Sequence, residues 1–361
     1  MNLETIPLIL FFVFASHLSA QEKPDKKPLI DIYMFAKITA QVQDEQGKVV
    51  AYTNLHVRFS HSNGAYRDGY NDFVVKTNQE GKFEAESECM GPIIIYATKD
   101  GYYPSELSYQ PADWSKDHPN GEKLQPWNPI VPIILKKIGS PVPMYVRTGN
   151  REARYFPDQD VEYGFDLIMD DWVAPNGKGT TSDLMLKSEL SVKNENSHEV
   201  KVTIRFPNKG DGWIPIANLE GTESELKYPR EAPMDGYRAE DITLIAEIQK
   251  VRAIELPKGG HPYGYIIRTR TKLDERGAVA SACFAKIVDS DLSPPIDPRR
   301  LKHPILFGGS PGDPNDDRIK KGCFFALDYY FNPKPNDRTL EFDRKHNLAL
   351  EPDRDPTGLP P

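Results

Sequence analysis

The chain has 361 residues, of which 39% are hydrophobic and 27% charged, so it can fill a packed core and does not have a disordered composition. Its formal net charge of -8 excludes the broadly basic surface that duplex nucleic-acid binders usually present. The 32 prolines and 25 glycines favour many short strands joined by turns. The length predicts two or three domains.

The N-terminus predicts export. An apolar run covers Ile6 to Ala15, and Leu18-Ser19-Ala20 ends in a small residue, which is the form of a secretory signal cleaved after Ala20. Glu4 and the lack of Lys or Arg before the run depart from that form. The run is shorter than the about 20 apolar residues that span a bilayer. We therefore predict a signal peptide at 1–20, a polar tether at 21–35, and a secreted or periplasmic mature chain with no transmembrane segment. The absence of an Asn-x-Ser/Thr sequon favours a bacterial source.

The residues 36–138 predict a first β domain. The segments "AKITAQVQ" and "NLHVRFS" alternate apolar and polar residues, as half-buried strands do. The stretch "VVKTNQEGKFEAES" reads as a hairpin that turns at Gly81, and "IIIYATKDGYYP" as a strand followed by a turn. Pro132 in "NPIVPIILKK" cannot donate to a strand ladder, so we expect that strand at a sheet edge.

The order of these elements resembles a known family. The segments "ITAQVQDEQGKVV", "TNLHVRF", "TNQEGKFEA" and "IIIYATKDGYY" are similar to the carboxypeptidase regulatory-like domain. The resemblance implies a prealbumin-like β-sandwich of about seven strands. It also implies an accessory module of secreted proteins that carries no catalytic residues. The chain has no zinc-peptidase motif, and we predict neither a metal nor another cofactor.

A long polar insertion departs from that family. It reads "PSELSYQPADWSKDHPNGEKLQPW", and the aromatic residues within or beside it are Tyr109, Trp114 and Trp127. Long loops in compact domains are often functional. Exposed rings there could stack on a sugar or a peptide, which makes these three residues the candidate ligand contacts. The alternative is that the rings pack down to hold the loop or cover the contact with the second domain.

The residues 142–344 predict a second, larger β-sandwich or jelly-roll-like domain. The segments "EVKVTIRF" and "CFFALDYYF" alternate, and "GYIIRTRTKLDERGAVASACFAKIV" reads as a hairpin around Gly277. The segment "AEDITLIAEIQKV" is the main helix candidate, with a strand as the alternative because of its β-branched residues. The segments "DLIMDDWVAPNGKGTTSD" and "YYFNPKPNDRTLEFD" resemble parts of uncharacterised exported bacterial proteins. We expect residues 345–361 to be a disordered tail.

The cysteine, histidine and carboxylate patterns do not indicate a catalytic or metal-binding site. Export permits a Cys283–Cys323 disulfide, although a cysteine within a strand is more often a small buried apolar residue. No zinc spacing, serine-nucleophile elbow or phosphate loop is present. The acidic stretches at Asp170-Asp171 and at 313–317 could bind Ca²⁺ but match no EF-hand pattern, and they are expected to be solvated turns.

The sequence therefore leads to a secreted, non-catalytic binding or scaffolding protein that contacts a glycan or an envelope partner, and no nucleic acid. The alternative is a carbohydrate-active or other extracellular enzyme with an unrecognised site in the second domain. A cleft that gathers two acids with shifted pKa values would favour the enzyme. A third reading is a structural role in a surface assembly, which an unpaired edge strand would favour.

Overall fold

The computed structural model describes residues 34–62, 68–113, 118–119, 121–148, 153–194, 197–217, 219, 223–249, 252–254, 262–288, 305–310, 322–349 and 361. The described residues form strands and turns without a helix, which confirms the all-β prediction. No helix capable of crossing a membrane occurs in this described part of the chain. The strands are β1 (Phe35–Asp44), β2 (Asn54–Ser62), β3 (Asp68–Lys76), β4 (Lys82–Glu88), β5 (Ile93–Thr98), β6 (Ser105–Tyr109), β7 (Ile130–Leu135), β8 (Val142–Arg147), β9 (Arg154–Tyr155), β10 (Glu162–Asp166), β11 (Asp171–Trp172), β12 (Leu184–Asn194), β13 (Ser197–Arg205), β14 (Gly212–Ile216), β15 (Ile242–Gln249), β16 (Arg252–Ile254), β17 (Gly264–Leu273), β18 (Val279–Val288), β19 (Ile305–Ser310), β20 (Gly322–Leu327), β21 (Tyr329–Asn332) and β22 (Phe342–Asn347).

The first seven strands form two sheets. One sheet has the order β4-β1-β7 and the other has the order β3-β2-β5-β6. In β1 every second residue is buried, so Ala36, Ile38, Ala40 and Val42 face the interior as predicted. They pack with Leu55, Val57 and Phe59 of β2 and with the inward residues of β5 and β7 in one core cluster. β7, which carries Pro132, lies at a sheet edge as predicted.

The predicted hairpin at "VVKTNQEGKFEAES" is wrong in its pairing but right in its turn. Asn78 Oδ1 accepts hydrogen bonds from the N–H groups of Glu80 and Lys82, and Gly81 has a φ of 70°. The strands on either side diverge, because β3 pairs with β2 and β4 pairs with β1. The turn therefore carries the chain from one sheet of the sandwich to the other.

The remaining strands form three sheets around two further cores. The orders are β11-β10-β12-β13-β15-β16, β14-β17-β18-β21-β8-β22 and β19-β20-β9. One core cluster takes residues from all three sheets, including Phe165, Val202 and Phe325. The other contains Ile266, Phe284 and residues of the segment 226–232. The β17–β18 hairpin around Gly277 is confirmed.

Two sequence expectations need correction in this half of the chain, namely the helix candidate and the start of the tail at 345. The helix candidate is strand β15, where Ile242, Leu244 and Ala246 are buried at every second position. Strand β22 runs past 344 to Asn347, whose side chain hydrogen-bonds the backbone of Val146. Residues 345–349 are thus ordered, while 1–33 and 350–360 lie outside the described residues.

The possible Cys283–Cys323 disulfide is not present. Both residues are buried free thiols, as is Cys89. Cys283 lies on β18 and Cys323 on β20, and these strands belong to different sheets. Both behave as small apolar core residues, and burial raises the pKa of each thiol.

A buried polar cluster joins the two halves of the chain. Glu341 is 2% exposed, and its Oε1 accepts hydrogen bonds from Tyr103 Oη at 2.6 Å and from Gly139 N at 2.8 Å. Arg230 Nη1 donates to Glu341 Oε2 at 3.2 Å, and Arg230 Nη2 donates to Glu45 Oε2 at 3.0 Å. The cluster therefore holds the first sandwich, the connecting segment and the second half against each other.

Candidate functional site

Tyr109 does not lie on a polar loop. The predicted insertion contains strand β6, whose register with β5 places Leu107 opposite Ile95 and Tyr109 opposite Ile93. Ile93 and Ile95 are fully buried, and the Tyr109 ring packs against the same core. Burial also raises the pKa of the Tyr109 hydroxyl. Tyr109 therefore packs into the sandwich, which is the alternative that the sequence left open.

Trp127 lies in the bend that precedes β7, beside the other sheet of the sandwich. It is half-buried, and Lys123 Nζ lies 4.9 Å from the centre of its ring. The next residue, Asn128, donates its N–H to Lys37 O on β1 at 2.9 Å. Trp114 lies outside the described residues. The structure thus places Tyr109 on strand β6 and Trp127 in a bend beside the other sheet, and it leaves the aromatic loop as a prediction that rests on Trp127.

The second half of the chain brings two acids together in the segment 166–183. Asp183 is fully buried and accepts hydrogen bonds from Leu167 N and from both Nε and Nη2 of Arg270, the latter two at 2.8 and 2.7 Å. Asp166 accepts the N–H groups of Thr180 and Thr181. Burial alone would raise the pKa of Asp166, but the backbone N–H groups outweigh it and lower the pKa. Both carboxylates are engaged in holding this segment, and among the described residues no group of His, Cys, Asp or Glu could hold a metal ion.

The outward face of the sheet β3-β2-β5-β6 carries a different set of residues. We call it the outer-sheet platform, and it consists of His56 and Arg58 on β2, Tyr70 and Asp72 on β3, Tyr96 on β5 and Glu106 on β6. Alternation along each strand puts these side chains on the face opposite the core, because Leu55, Val57 and Ile95 are buried.

Strand register arranges the outward face in three rows, the first of which holds Tyr70 opposite Ser60. One row runs Val74, His56, Tyr96 and Glu106 across β3, β2, β5 and β6. The neighbouring row runs Asp72, Arg58, Ile94 and Ser108. Exposed apolar area lies along the rows, because Val74 is 80%, Tyr70 46% and Tyr96 37% exposed. The platform therefore combines rings, aliphatic surface and charged groups on one sheet face.

Contacts within the platform orient its charged side chains. Arg58 Nε donates to Asp72 Oδ1 at 3.0 Å, and His56 Nε2 lies 3.0 Å from the same oxygen. Arg58 Cζ also lies 4.6 Å from the centre of the Tyr70 ring, which is a cation–π contact. The bond from Arg58, followed by that from His56, lowers the pKa of Asp72, so this carboxylate is ionised at neutral pH.

The second half of the chain borders the platform at β6. Glu106 N donates to Glu223 O at 2.7 Å and Glu225 N donates to Pro104 O at 2.9 Å, so the segment 223–225 extends the sheet beyond β6. Arg344 Nη2 pairs with Glu225 Oε2 at 2.8 Å. Burial raises the pKa of Tyr96, and the charges of Glu225 and Glu106 raise it further.

Lys227 forms the charged end of this border. Lys227 is buried, as are its chain neighbours Leu226 and Tyr228, and burial lowers the pKa of its amine to about 8. The charges of Glu225 and Glu106 act in the opposite direction. Burial also raises the pKa of Glu106, while Arg58 and Lys227 lower it. Negative and positive side chains therefore alternate across the platform in the order Asp72, Arg58, Glu106 and Lys227.

The spacing of the two tyrosines sets the size of a ligand. Tyr70 pairs with Ser60 and Tyr96 pairs with His56, so the tyrosines are separated by two strand spacings and by four residues along β2. With about 4.8 Å between strands and about 3.4 Å per residue, their Cα atoms lie about 17 Å apart. A ligand that contacts both rings must be extended over several units.

The platform was not predicted from the sequence. The signal was present, because the same alternation that buries Leu55, Val57 and Phe59 sends His56 and Arg58 outward. The sequence does not show which strands pair with β2, so Tyr70, Tyr96 and Glu106 could not be assigned to the same face.

No protein-family model matches the chain, and a search of curated proteins also found no match. Among solved structures, 3-chlorocatechol 1,2-dioxygenase from Rhodococcus opacus 1CP matches 32% of this chain and 63% of its own, at 12% identity and a TM-score of 0.21. Catechol 1,2-dioxygenase from Pseudomonas arvilla C-1 matches 34% of this chain and 56% of its own, at 13% identity and a TM-score of 0.20. A candidate carbohydrate-binding protein from Bacteroides uniformis ATCC 8492 covers 82% of this chain and 98% of its own, at 10% identity and a TM-score of 0.17. These similarities are too low to indicate a shared activity.

Proposed function

We propose that the chain is an exported binding protein whose outer-sheet platform takes an extended glycan without making or breaking a bond. The observation that carries this proposal is the joint presence of Tyr70, Tyr96 and the Arg58–Asp72 pair on one exposed sheet face. The export signal predicted at 1–20 and the resemblance to an accessory sandwich module support it. The N-terminal segment lies outside the described residues.

The chemistry of the platform suits a sugar chain. Tyrosine rings offer flat apolar area to the C–H faces of sugar rings while their hydroxyls remain in water. Asp72 and Glu106 can accept hydrogen bonds from sugar hydroxyls, and Arg58 can donate to them. The formal charges of Arg58 and Lys227 balance those of Asp72 and Glu106, so no net charge selects a strongly acidic or basic ligand.

The enzyme alternative lacks a supporting observation in the described residues. A glycosidase needs two available carboxyl groups about 5–9.5 Å apart in a cleft. Asp166 and Asp183 are the acids that the second domain brings together, and both are occupied by backbone N–H groups or Arg270. They act as structural anchors for the segment 166–183.

Removing either platform tyrosine is expected to weaken glycan binding about tenfold, which corresponds to about 1.4 kcal/mol. The variants are Tyr70→Ala and Tyr96→Ala, and the measurement is isothermal titration against oligosaccharides selected from a panel of bacterial and plant polysaccharides. Tyr155→Ala is the matched control, because Tyr155 is 43% exposed but lies on β9 of the second half. Equal affinities of all three variants and the unmodified protein would contradict glycan binding at the platform.

A further inference from the structure

Strand β3 is an open edge of the first sandwich. It ends the sheet β3-β2-β5-β6, and among the described residues no strand pairs with it on the side away from β2. A strand edge presents a row of N–H and C=O groups on which a further strand can pair. The opposite end of the same sheet is covered, because Glu106 and Glu225 connect β6 to the segment 223–225.

Backbone hydrogen bonds show which groups of β3 point towards the open side. Thr77 N donates to Thr53 O at 2.9 Å, so the backbone of Thr77 points towards β2. In an antiparallel pair this direction alternates from one residue to the next. The residues of β3 whose N–H and C=O groups point away from β2 therefore include Asp72, Val74 and Lys76.

Apolar area is exposed along this edge on both faces of the sheet. On the outer face, Val74 is 80% exposed. On the inner face, Phe73 and Val75 pack against the core cluster of the sandwich but are only partly buried. A strand added at β3 would cover Val74 and would continue the apolar row of the inner face.

The other sheet of the sandwich has protected edges. Strand β4 carries the exposed residues Glu84, Glu86 and Glu88, and like charges oppose its pairing with a second copy. Strand β7 carries Pro132, which has no N–H group to donate. Strand β3 contains no proline and carries charges of both signs, so it lacks both protections.

The sequence of β3 is complementary to itself. When two copies of β3 run antiparallel with Val74 opposite Val74, Asp72 of each copy lies opposite Lys76 of the other. In the same register Phe73 of each copy lies opposite Val75 of the other on the inner face. Opposite charges and apolar pairs that face each other directly stabilise a strand pair.

Other registers lose this complementarity. A shift by two residues in either direction removes Asp72 from its place opposite Lys76. A shift by one residue places inner-face side chains opposite outer-face ones. Asp72 can also take the second contact, because its bonds with Arg58 and His56 are both made by Oδ1, which leaves Oδ2 for a lysine of the second copy.

We propose that β3 is the interface of a two-fold symmetric dimer of this chain, in which the two copies of β3 pair antiparallel about Val74. The assembly is closed, because the same edge is used by both copies. It joins two four-stranded sheets into one continuous sheet and places both outer-sheet platforms on the same face. The dimer does not depend on glycan binding at the platform.

The main experiment uses charge reversal and sedimentation velocity without any ligand, from about 5 μM to about 500 μM protein. Lys76→Glu or Asp72→Lys alone places like charges opposite each other at two positions of the dimer. Each should raise the dimer dissociation constant at least about tenfold. An equimolar mixture of the two variants restores opposite charges at both positions and should dimerise like the unmodified protein. An unmodified protein that stays monomeric, or a mixture no more dimeric than its components, would overturn the proposal.

Lys345→Glu is the matched control for the charge change. Lys345 is exposed and lies on β22 in the second half of the chain. This variant should dimerise like the unmodified protein. Equal weakening by Lys345→Glu and Lys76→Glu would show that association follows net charge and would overturn the assignment to β3.

A cross-linking test does not depend on the folding of the charge variants. Val74→Cys places two thiols directly opposite each other, with Cα atoms about 5.5 Å apart, a distance that a disulfide spans. The native cysteines of the chain are buried. Val192→Cys is the reference, because Val192 is 58% exposed on β12. Under mild oxidation, Val74→Cys should form the intermolecular disulfide at least about tenfold faster, whereas equal rates would overturn the proposal.

Discussion

Replacing Glu341 by alanine is expected to lower the free energy of unfolding by about 3–5 kcal/mol, as expected when one partner of a buried charge pair is removed. The change leaves the Tyr103 hydroxyl and the Gly139 N–H without their acceptor and removes one carboxylate from Arg230. A Cβ at Gly139 would lie 2.5 Å from Glu341 Oε2, so a larger residue there would displace this carboxylate. Urea unfolding followed by tryptophan fluorescence measures the loss.

Glu231→Ala is the matched control for this prediction. Glu231 pairs with Arg338 at 2.9 Å, but its side chain is 63% exposed. An exposed pair contributes about 0–1 kcal/mol, so the control should unfold close to the unmodified protein. Equal stabilities of the Glu341 and Glu231 variants would show that the buried cluster does not join the two halves of the chain.

Replacing Asp183 by alanine is also expected to lower the free energy of unfolding by about 3–5 kcal/mol. The variant removes the carboxylate that accepts two hydrogen bonds from Arg270 and one from Leu167 N. Arg270 is also in the left-handed backbone region, with φ of 55°, where a non-glycine residue is strained. Thermal unfolding by calorimetry measures the change.

Asp158→Ala is the control for Asp183. Asp158 is exposed and accepts one hydrogen bond, from Tyr163 Oη at 2.9 Å. Its loss should change the free energy of unfolding by no more than about 1 kcal/mol. A loss of similar size in both variants would contradict the role of Asp183 as the anchor of the segment 166–183.

The strands could be predicted because burial repeats with period two. The rows Ala36, Ile38, Ala40, Val42 and Val200, Val202, Ile204 are buried as the sequence indicates. The pairing of the strands was harder to predict from the sequence. The turn at Gly81 has the residues of a hairpin turn, yet its two flanking strands belong to different sheets. Local hydrogen bonds specify a turn, but long-range packing decides the partner of each strand.

The candidate site was harder to predict than the fold. Exposed polar residues on a strand resemble any solvated face, so His56 and Arg58 gave no distinctive signal. Tyr109 was singled out because it follows a turn in a polar stretch, yet its register with Ile93 turns it into the core. Only the strand order β3-β2-β5-β6 places Tyr70 and Tyr96 on one surface.

The junction between the two halves also positions the platform. Backbone hydrogen bonds of Glu106 and Glu225 add the segment 223–225 to the sheet next to β6. The hydrogen bond from Tyr103 to Glu341 also joins the first half of the chain to the second half. Lys227 and Arg344 therefore reach the border of the platform from the second half. A ligand that extended past β6 would contact both parts of the chain.

The most direct test of the central claim is hydroxyl-radical footprinting of the protein with and without a bound oligosaccharide. The method reports the solvent exposure of individual side chains, so it compares the platform with the aromatic loop in one experiment. The account predicts that Tyr70 and Tyr96 become protected while oxidation of Trp127 is unchanged. Protection of Trp127 with unchanged oxidation of both tyrosines would contradict it and would assign binding to the loop.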